Sequence, residues 1–204
     1  MLSTLLNELA QLHWLDYLAL IAGILYVIFA AKEKMICWFF GAVSSLSIAY
    51  AVFFFYQLYS DAILQVFYFI MALVGIWNWK RGNGKGEDLA VSKMAFRDHL
   101  TLIVSSLLLA IPLAWYFSQK TEAALPVIDA VTTTFSIMTT FLVIGKKLEN
   151  WLYWIIIDIA YVFIYSYKGA YLFALLMIVY TVIAVLGYFE WRKSYKREIY
   201  LEQI

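Results

Sequence analysis

The chain has 204 residues, 65% of them hydrophobic and only 14% charged, with a formal net charge of +1. Soluble domains run nearer half apolar and a quarter charged, so this composition marks an all-α integral membrane protein. It leaves no room for a separate ATPase or kinase domain, because the longest polar segment runs only from Lys80 to Asp98, and the near-neutral balance points to no nucleic-acid partner.

The first twelve residues lack a basic region and do not read as a cleaved signal peptide. After them, seven apolar segments are each long enough to cross about 30 Å of hydrocarbon. They fall near residues 15–31, 35–56, 59–79, 99–118, 126–144, 149–167 and 169–189. Short connections make consecutive spans antiparallel neighbours, so the basic residues can be counted by side. One side receives Lys32, Lys34, Lys80, Arg81, Lys85, Lys93, Arg97, Lys146, Lys147, Arg192, Lys193, Lys196 and Arg197, and the other only Lys120 and Lys168. The positive-inside rule then puts the N-terminus outside and the C-terminus in the cytoplasm. Trp38, Trp77, Trp79, Trp151 and Trp191 fall near the cytoplasmic boundary, and Trp79 and Trp191 are expected to be interfacial belt anchors. The run Gly82-Asn83-Gly84-Lys85-Gly86 reads as a flexible linker; no Lys-Ser or Lys-Thr pair follows to make a phosphate loop. The lone Cys37 can form no intramolecular disulfide.

The seventh segment repeats the third at an offset of 112, matching Tyr59 to Tyr171, Ala62 to Ala174, Leu64 to Leu176, Tyr68 to Tyr180, Ala72 to Ala184, Gly75 to Gly187 and Trp79 to Trp191. The sixth is laid on the second at an offset of 116, through Glu33 and Glu149, Trp38 and Trp154, and Ile48 and Ile164. Asp16 and Asp129 relate the first to the fifth. The expected organisation is a first repeat over 1–81, a linker and linking helix over 82–120, and a second repeat over 121–204 with a short C-terminal tail. Parallel repeats of this kind occur in secondary transporters, with the substrate near the midplane between the halves.

Asp158 is the feature that a membrane span least explains. A charge in hydrocarbon costs at least ~2.5–3.5 kcal/mol on insertion scales and usually marks a bundle interior or a functional site. Trp151 and Trp154 precede it at i−7 and i−4, on the same helical face, which continues through Tyr161 and Tyr165. Two indoles beside a carboxylate suit a flat organic cation, at ~0.5–2 kcal/mol per cation–π contact. Asp158 lies about 14 Å along the helix from Glu149 at ~1.5 Å per residue, close to the midplane. At the 116 offset it aligns with Ala42, so the two halves differ at this point. Gln65 aligns with Met177 and Asp61 with Phe173, and Asp61, Gln65 and Tyr68 share one face of the third span. Ser44, Ser45, Ser47, Thr132, Thr133, Thr134, Ser136, Thr139 and Thr140 add hydroxyls, most of them structural, with Thr133 taken as a candidate ligand. Glu149 and Asn150 read as first-turn residues.

Other classes fit poorly. The seventh span offers no lysine for a retinal Schiff base, and His13 and His99 stand at span ends without an HExxH motif. A GxSxG serine site is absent too, so the chain is not expected to be an enzyme or to hold a metal or cofactor.

Several separated motifs, in order, resemble the PnuC family of vitamin transporters: 58–67 with Asp61 and Gln65, Val127-Ile128-Asp129-Ala130, Lys146-Lys147-Leu148-Glu149-Asn150-Trp151, Trp151-x-x-Trp154-x-x-x-Asp158, and Leu186-Gly187-Tyr188-Phe189-Glu190-Trp191-Arg192. The resemblance covers nearly the whole chain. It implies seven helices in a three-one-three arrangement similar to the SWEET proteins, in a bacterial inner membrane among lipid. It further implies uptake of nicotinamide riboside by facilitated diffusion, with thiamine, carried by a related branch, as the alternative that Asp158 leaves open and riboflavin less favoured. The family's substrate motif carries over to Trp151, Trp154 and Asp158, and its glutamine to Gln65; Asp61, Tyr68, Tyr161 and Thr133 complete the expected substrate-binding set. A homo-oligomer, a trimer in particular, is the expected assembly.

Overall fold

A computed structural model describes residues 2–55, 59–82, 89–120 and 124–202. These residues form eight helices and no strand. In chain order they are α1 (Leu2–Gln11), α2 (Trp14–Ala31), α3 (Ile36–Phe54), α4 (Tyr59–Arg81), α5 (Phe96–Lys120), α6 (Pro126–Ile144), α7 (Asn150–Tyr167) and α8 (Tyr171–Glu202). Helices α2 to α8 follow the seven expected segments. Of the expected linker, Asn83 to Gly86 lies outside the described residues.

Helix α1 is an addition to the expected set. Its apolar residues Leu2, Leu5, Leu6 and Leu9 recur at helical spacing, and the Tyr17 hydroxyl donates to the Leu9 carbonyl at 2.6 Å. Among the described residues six helices are long and apolar enough to cross a membrane: α2 to α6 and α8. Helix α7 is not among them, because Asn150, Asp158 and its tyrosines and tryptophans dilute its hydropathy. The polar face that marks a candidate site is what costs α7 its place in that set.

The chain divides into two compact units, Met1–Ala90 with Phe189–Ile204, and Val91–Tyr188. In the first, α2 begins with a reciprocal cap. The His13 Nδ1 accepts the Leu15 N–H at 3.4 Å, and the His13 N–H donates to Asp16 Oδ2 at 2.9 Å, satisfying donors that a helix start leaves orphaned. The α2–α3 turn passes through Glu33 at φ 55°, with Glu33 N–H to Ala30 O at 3.0 Å, Lys34 N–H to Phe29 O at 2.9 Å and Cys37 N–H to Lys34 O at 2.9 Å. Beside it three indoles pack together: Trp38 lies edge-on to Trp79 at 5.4 Å, and Trp79 lies 6.2 Å from Trp191. The Trp191 Nε1 donates to Ala30 O at 3.0 Å. Trp79 and Trp191 are 3% and 0% exposed, so they are core residues and not belt anchors. An indole at the end of a span reads as an anchor whichever way it faces, and here it faces inward; Trp77, exposed beneath Arg81, faces out.

The second unit contains the same turn. Between α6 and α7 the chain passes through Lys146 at φ 45°, with Lys146 N–H to Val143 O at 3.1 Å, Lys147 N–H to Leu142 O at 2.9 Å and Asn150 N–H to Lys147 O at 3.0 Å. Every one of these residues is 113 positions beyond its counterpart in the first turn, the same interval as Asp16 to Asp129. This corrects the expected 116 offset for these helices. Trp38 corresponds to Trp151 rather than Trp154, Glu33 to Lys146 rather than Glu149, and Asp158 to Ser45 rather than Ala42. The identities at 116 are coincidences of a tryptophan-rich text.

A short segment ahead of α5 is fastened to the α6–α7 turn. The Ser92 N–H donates to Lys146 O at 3.0 Å, the Leu148 N–H returns to Ser92 O at 2.8 Å, and the Met94 N–H donates to Glu149 Oε2 at 2.9 Å. His99 Nδ1 and the Tyr153 hydroxyl, 2.8 Å apart, extend this attachment along α7. At the other end of the unit Lys168 bridges to Asp129 at 2.9 Å.

Candidate functional site

Helix α7 begins at Glu149, whose carboxylate holds the Met94 amide, and at Asn150, which is fully buried and donates from Nδ2 to Lys147 O at 2.7 Å. Both are therefore structural residues of the turn, as their place in the sequence suggests. From there the 3.6-residue period carries Trp151, Trp154, Asp158, Tyr161 and Tyr165 along one face. Trp151 and Asp158 are buried, at 3% and 4% exposure, while Trp154 and Tyr161 are half-buried. Tyr161 stacks on Tyr165 at 5.7 Å and 19°, and Tyr165 meets Phe173 of α8 at 5.6 Å.

The Trp151 indole is seated against α8. A Cβ placed on Gly187 would stand 2.8 Å from its Cε2 and 2.9 Å from its Cζ2, so only glycine admits the ring there. In the first unit Trp38 lies on Gly75 in the same manner.

Asp158 sits in this apolar surround as a carboxylate that a ligand cation could neutralise. Tyr180 of α8 is within electrostatic range of it. Tyr180 is absent from the residues expected at the site, yet it matches Tyr68 of the other half, itself a candidate, and that match is the signal in the sequence that points to it. Thr133 of α6 is half-buried between Thr132 and Thr134, whose buried hydroxyls donate to their own helix at Ile128 O (2.9 Å) and Ala130 O (3.1 Å). In the first unit Gln65 and Tyr68 are half-buried and Asp61 is exposed, all three on one face of α4. Among the described residues no three His, Cys, Asp or Glu side chains gather as metal ligands.

The sequence profile of the family described as nicotinamide mononucleotide transporter matches residues 13–193. The chain belongs to this family. Among curated members it is similar to the nicotinamide riboside transporter PnuC of Escherichia coli, with 28% identity over 90% of this chain and 87% of that one. It is also similar to the nicotinamide riboside transporter PnuC of Neisseria mucosa, with 26% identity over 90% and 74%. Its fold matches the crystal structure of the vitamin B3 transporter PnuC with a TM-score of 0.74, 25% identity, and coverage of 96% of this chain and 90% of the other. The family and these relatives are transporters, not enzymes. The buried carboxylate with two indoles on its helix face is thus placed in a family whose members handle nicotinamide compounds.

Proposed function

We propose that this protein carries nicotinamide riboside across a bacterial inner membrane by facilitated diffusion through alternating access. The observation that carries the reading is the buried Asp158 on one helix face with Trp154 and Trp151. The pyridinium ring of the riboside is flat and cationic. Asp158 neutralises it, Trp154 offers a ring face, and Trp151, braced on Gly187, completes that wall. Tyr161 and Thr133 supply hydrogen bonds to its amide and ribose hydroxyls, and Gln65, Asp61 and Tyr68 are included on the resemblance of their own segment to the family.

The same carboxylate argues against the mononucleotide in the family's description. A phosphate monoester adds about −1.5 to −2 charges, which a buried carboxylate repels. Thiamine presents a cation as well, but the similar curated proteins are named for nicotinamide riboside. Riboflavin, being neutral, gains least from Asp158.

The proposal includes seven crossings in a three-one-three, SWEET-like arrangement, with α7 as the sixth crossing despite its diluted hydropathy. Its parts are residues 1–81, 82–120 and 121–204. The basic residues divide thirteen to two by side and favour an outside N-terminus and a cytoplasmic C-terminus. A homo-oligomer, in particular a trimer, is part of the same reading. With one buried carboxylate and no second acid or histidine on its helix face, no energy coupling is invoked, and intracellular phosphorylation traps the vitamin.

Tryptophan-fluorescence titration with nicotinamide riboside, nicotinamide mononucleotide, thiamine and riboflavin tests the substrate. Micromolar binding of the riboside alone is expected; tighter binding of any other compound overturns the assignment. Uptake of labelled riboside into vesicles should survive an ionophore, and its collapse would refute the uncoupled mechanism.

A further inference from the structure

Helix α6 carries five buried hydroxyls. Four are accounted for within the helix: Thr132 donates to Ile128 O, Thr134 to Ala130 O, Ser136 to Thr132 O and Thr140 to Ser136 O, at 2.8–3.1 Å. The fifth, Thr139, is 0% exposed, and its Oγ1 has no hydrogen-bond partner among the described residues. A threonine in a helix ordinarily bonds back to its own turn, so a buried hydroxyl that does not do so calls for a physical explanation.

The 113 interval gives Thr139 a counterpart whose surroundings are on view. Its counterpart is Tyr26, since 139 − 26 = 113, and the counterpart of Trp154 is Gly41, since 154 − 41 = 113. In the first unit the Tyr26 ring lies directly over Gly41, with its Cδ2 3.0 Å from where a Cβ would stand. One half therefore places a large ring on the first helix of the pair and glycine on the second. The other half places a small hydroxyl on the first and a large ring on the second. Carried across the 113 interval, the Tyr26–Gly41 contact sets Thr139 opposite Trp154 of α7, one turn from Asp158. Ser106 of α5 is another buried hydroxyl without a partner among the described residues, but no repeat position sets it against α7.

We propose that Thr139 is a substrate-binding residue, its hydroxyl reserved for the carboxamide of a nicotinamide ring enclosed between α6 and α7 beside Trp154. The hydroxyl is closed to solvent, so this bond belongs to the occluded state of the transport cycle. In the first half the Tyr26 ring fills the equivalent place, which leaves one such position per chain. The assignment deepens the nicotinamide riboside reading and rests on it.

The test compares Thr139→Val, which keeps the shape and removes the hydroxyl, with Thr139→Ser, which keeps the hydroxyl. Each is titrated with nicotinamide riboside and with N-ribosylpyridinium, which keeps the cation and ribose but lacks the carboxamide. Thr139→Val should bind nicotinamide riboside roughly tenfold more weakly and N-ribosylpyridinium as the parent does, while Thr139→Ser stays close to the parent for both. Ligand-free Thr139→Val should melt at or above the parent temperature, which excludes misfolding as the cause. Equal weakening for both compounds, or none for either, overturns the role. If the parent protein binds neither compound, the transport reading itself fails, and the assignment falls with it.

Discussion

Trp151 and Gly187 approach so closely that a β-carbon on the glycine would stand 2.8 Å from the indole Cε2. One tryptophan of the candidate site is thereby fixed by a backbone contact, and Trp38 with Gly75 repeats the arrangement in the other unit. Because the ring is buried at 3% exposure, it has little room to yield. Gly187→Ala should cost about 1–3 kcal/mol, as overpacked cores do, and Gly75→Ala a similar amount. Gly145→Ala, whose Cβ would meet nothing nearer than 3.4 Å, serves as the control. Thermal unfolding in one detergent checks all three; a Gly187→Ala melting point equal to that of Gly145→Ala would show that the seat is loose.

Asp158→Asn separates charge from shape. The amide fits the same space, so the ligand-free protein should be as stable as the parent or more so, a group whose charged form burial penalises having been removed. Affinity for nicotinamide riboside should fall by about tenfold or more, corresponding to at least ~1.4 kcal/mol of lost charge pairing. Fluorescence titration decides the matter, and unchanged affinity would mean that Asp158 does not neutralise the ring.

Glu149→Gln tests how the segment before α5 is held. The Met94 amide now donates to a carboxylate at 2.9 Å. Charge-assisted bonds of this kind contribute ~1.5–3 kcal/mol, roughly twice a neutral one. Hydrogen exchange at the Met94 amide should quicken by about tenfold, with little change in helices distant from it. Exchange at the parent rate would show that the contact contributes nothing in solution.

Trp191→Phe keeps part of the buried ring but removes the Nε1–H that donates to Ala30 O. Ala30 O still accepts the Glu33 N–H, so the loss is one buried hydrogen bond and the missing ring of a fully buried indole, together about 1–3 kcal/mol. An exposed belt residue would lose well under 1 kcal/mol on the same change, so the melting temperature distinguishes burial from anchoring.

Much of this was legible in the sequence. Helices α2 to α6 and α8 stand out because about twenty apolar residues between charged ends admit little else. Asp158 was legible as buried because its surroundings on α7 are almost wholly apolar and aromatic. Helix α1 was not, being only ten residues of alternating character at the start of the chain. The register between α3 and α7 is ambiguous in the sequence because Trp38 has two tryptophans to match, Trp151 and Trp154, and letters cannot choose between them; backbone hydrogen bonds around Glu33 and Lys146 can. The roles of Trp79 and Trp191 turned on facing, which a residue's position along a span does not reveal. Thr139 looked like any other small hydroxyl on α6 until its missing hydrogen bond separated it from its neighbours.

The fastening of residues 92–94 to the α6–α7 turn has a mechanical side. Three hydrogen bonds tie that segment to Lys146, Leu148 and Glu149, immediately ahead of Trp151. Any stroke that displaces the start of α7 must drag this tether along or break all three bonds. At ~0.5–1.5 kcal/mol for each neutral bond and ~1.5–3 for the carboxylate, tearing it free would slow the stroke by a factor of roughly one hundred to ten thousand. The economical motion carries α7 and its tether as one lever, so a label on the segment before α5 should report the movement of the aspartate helix.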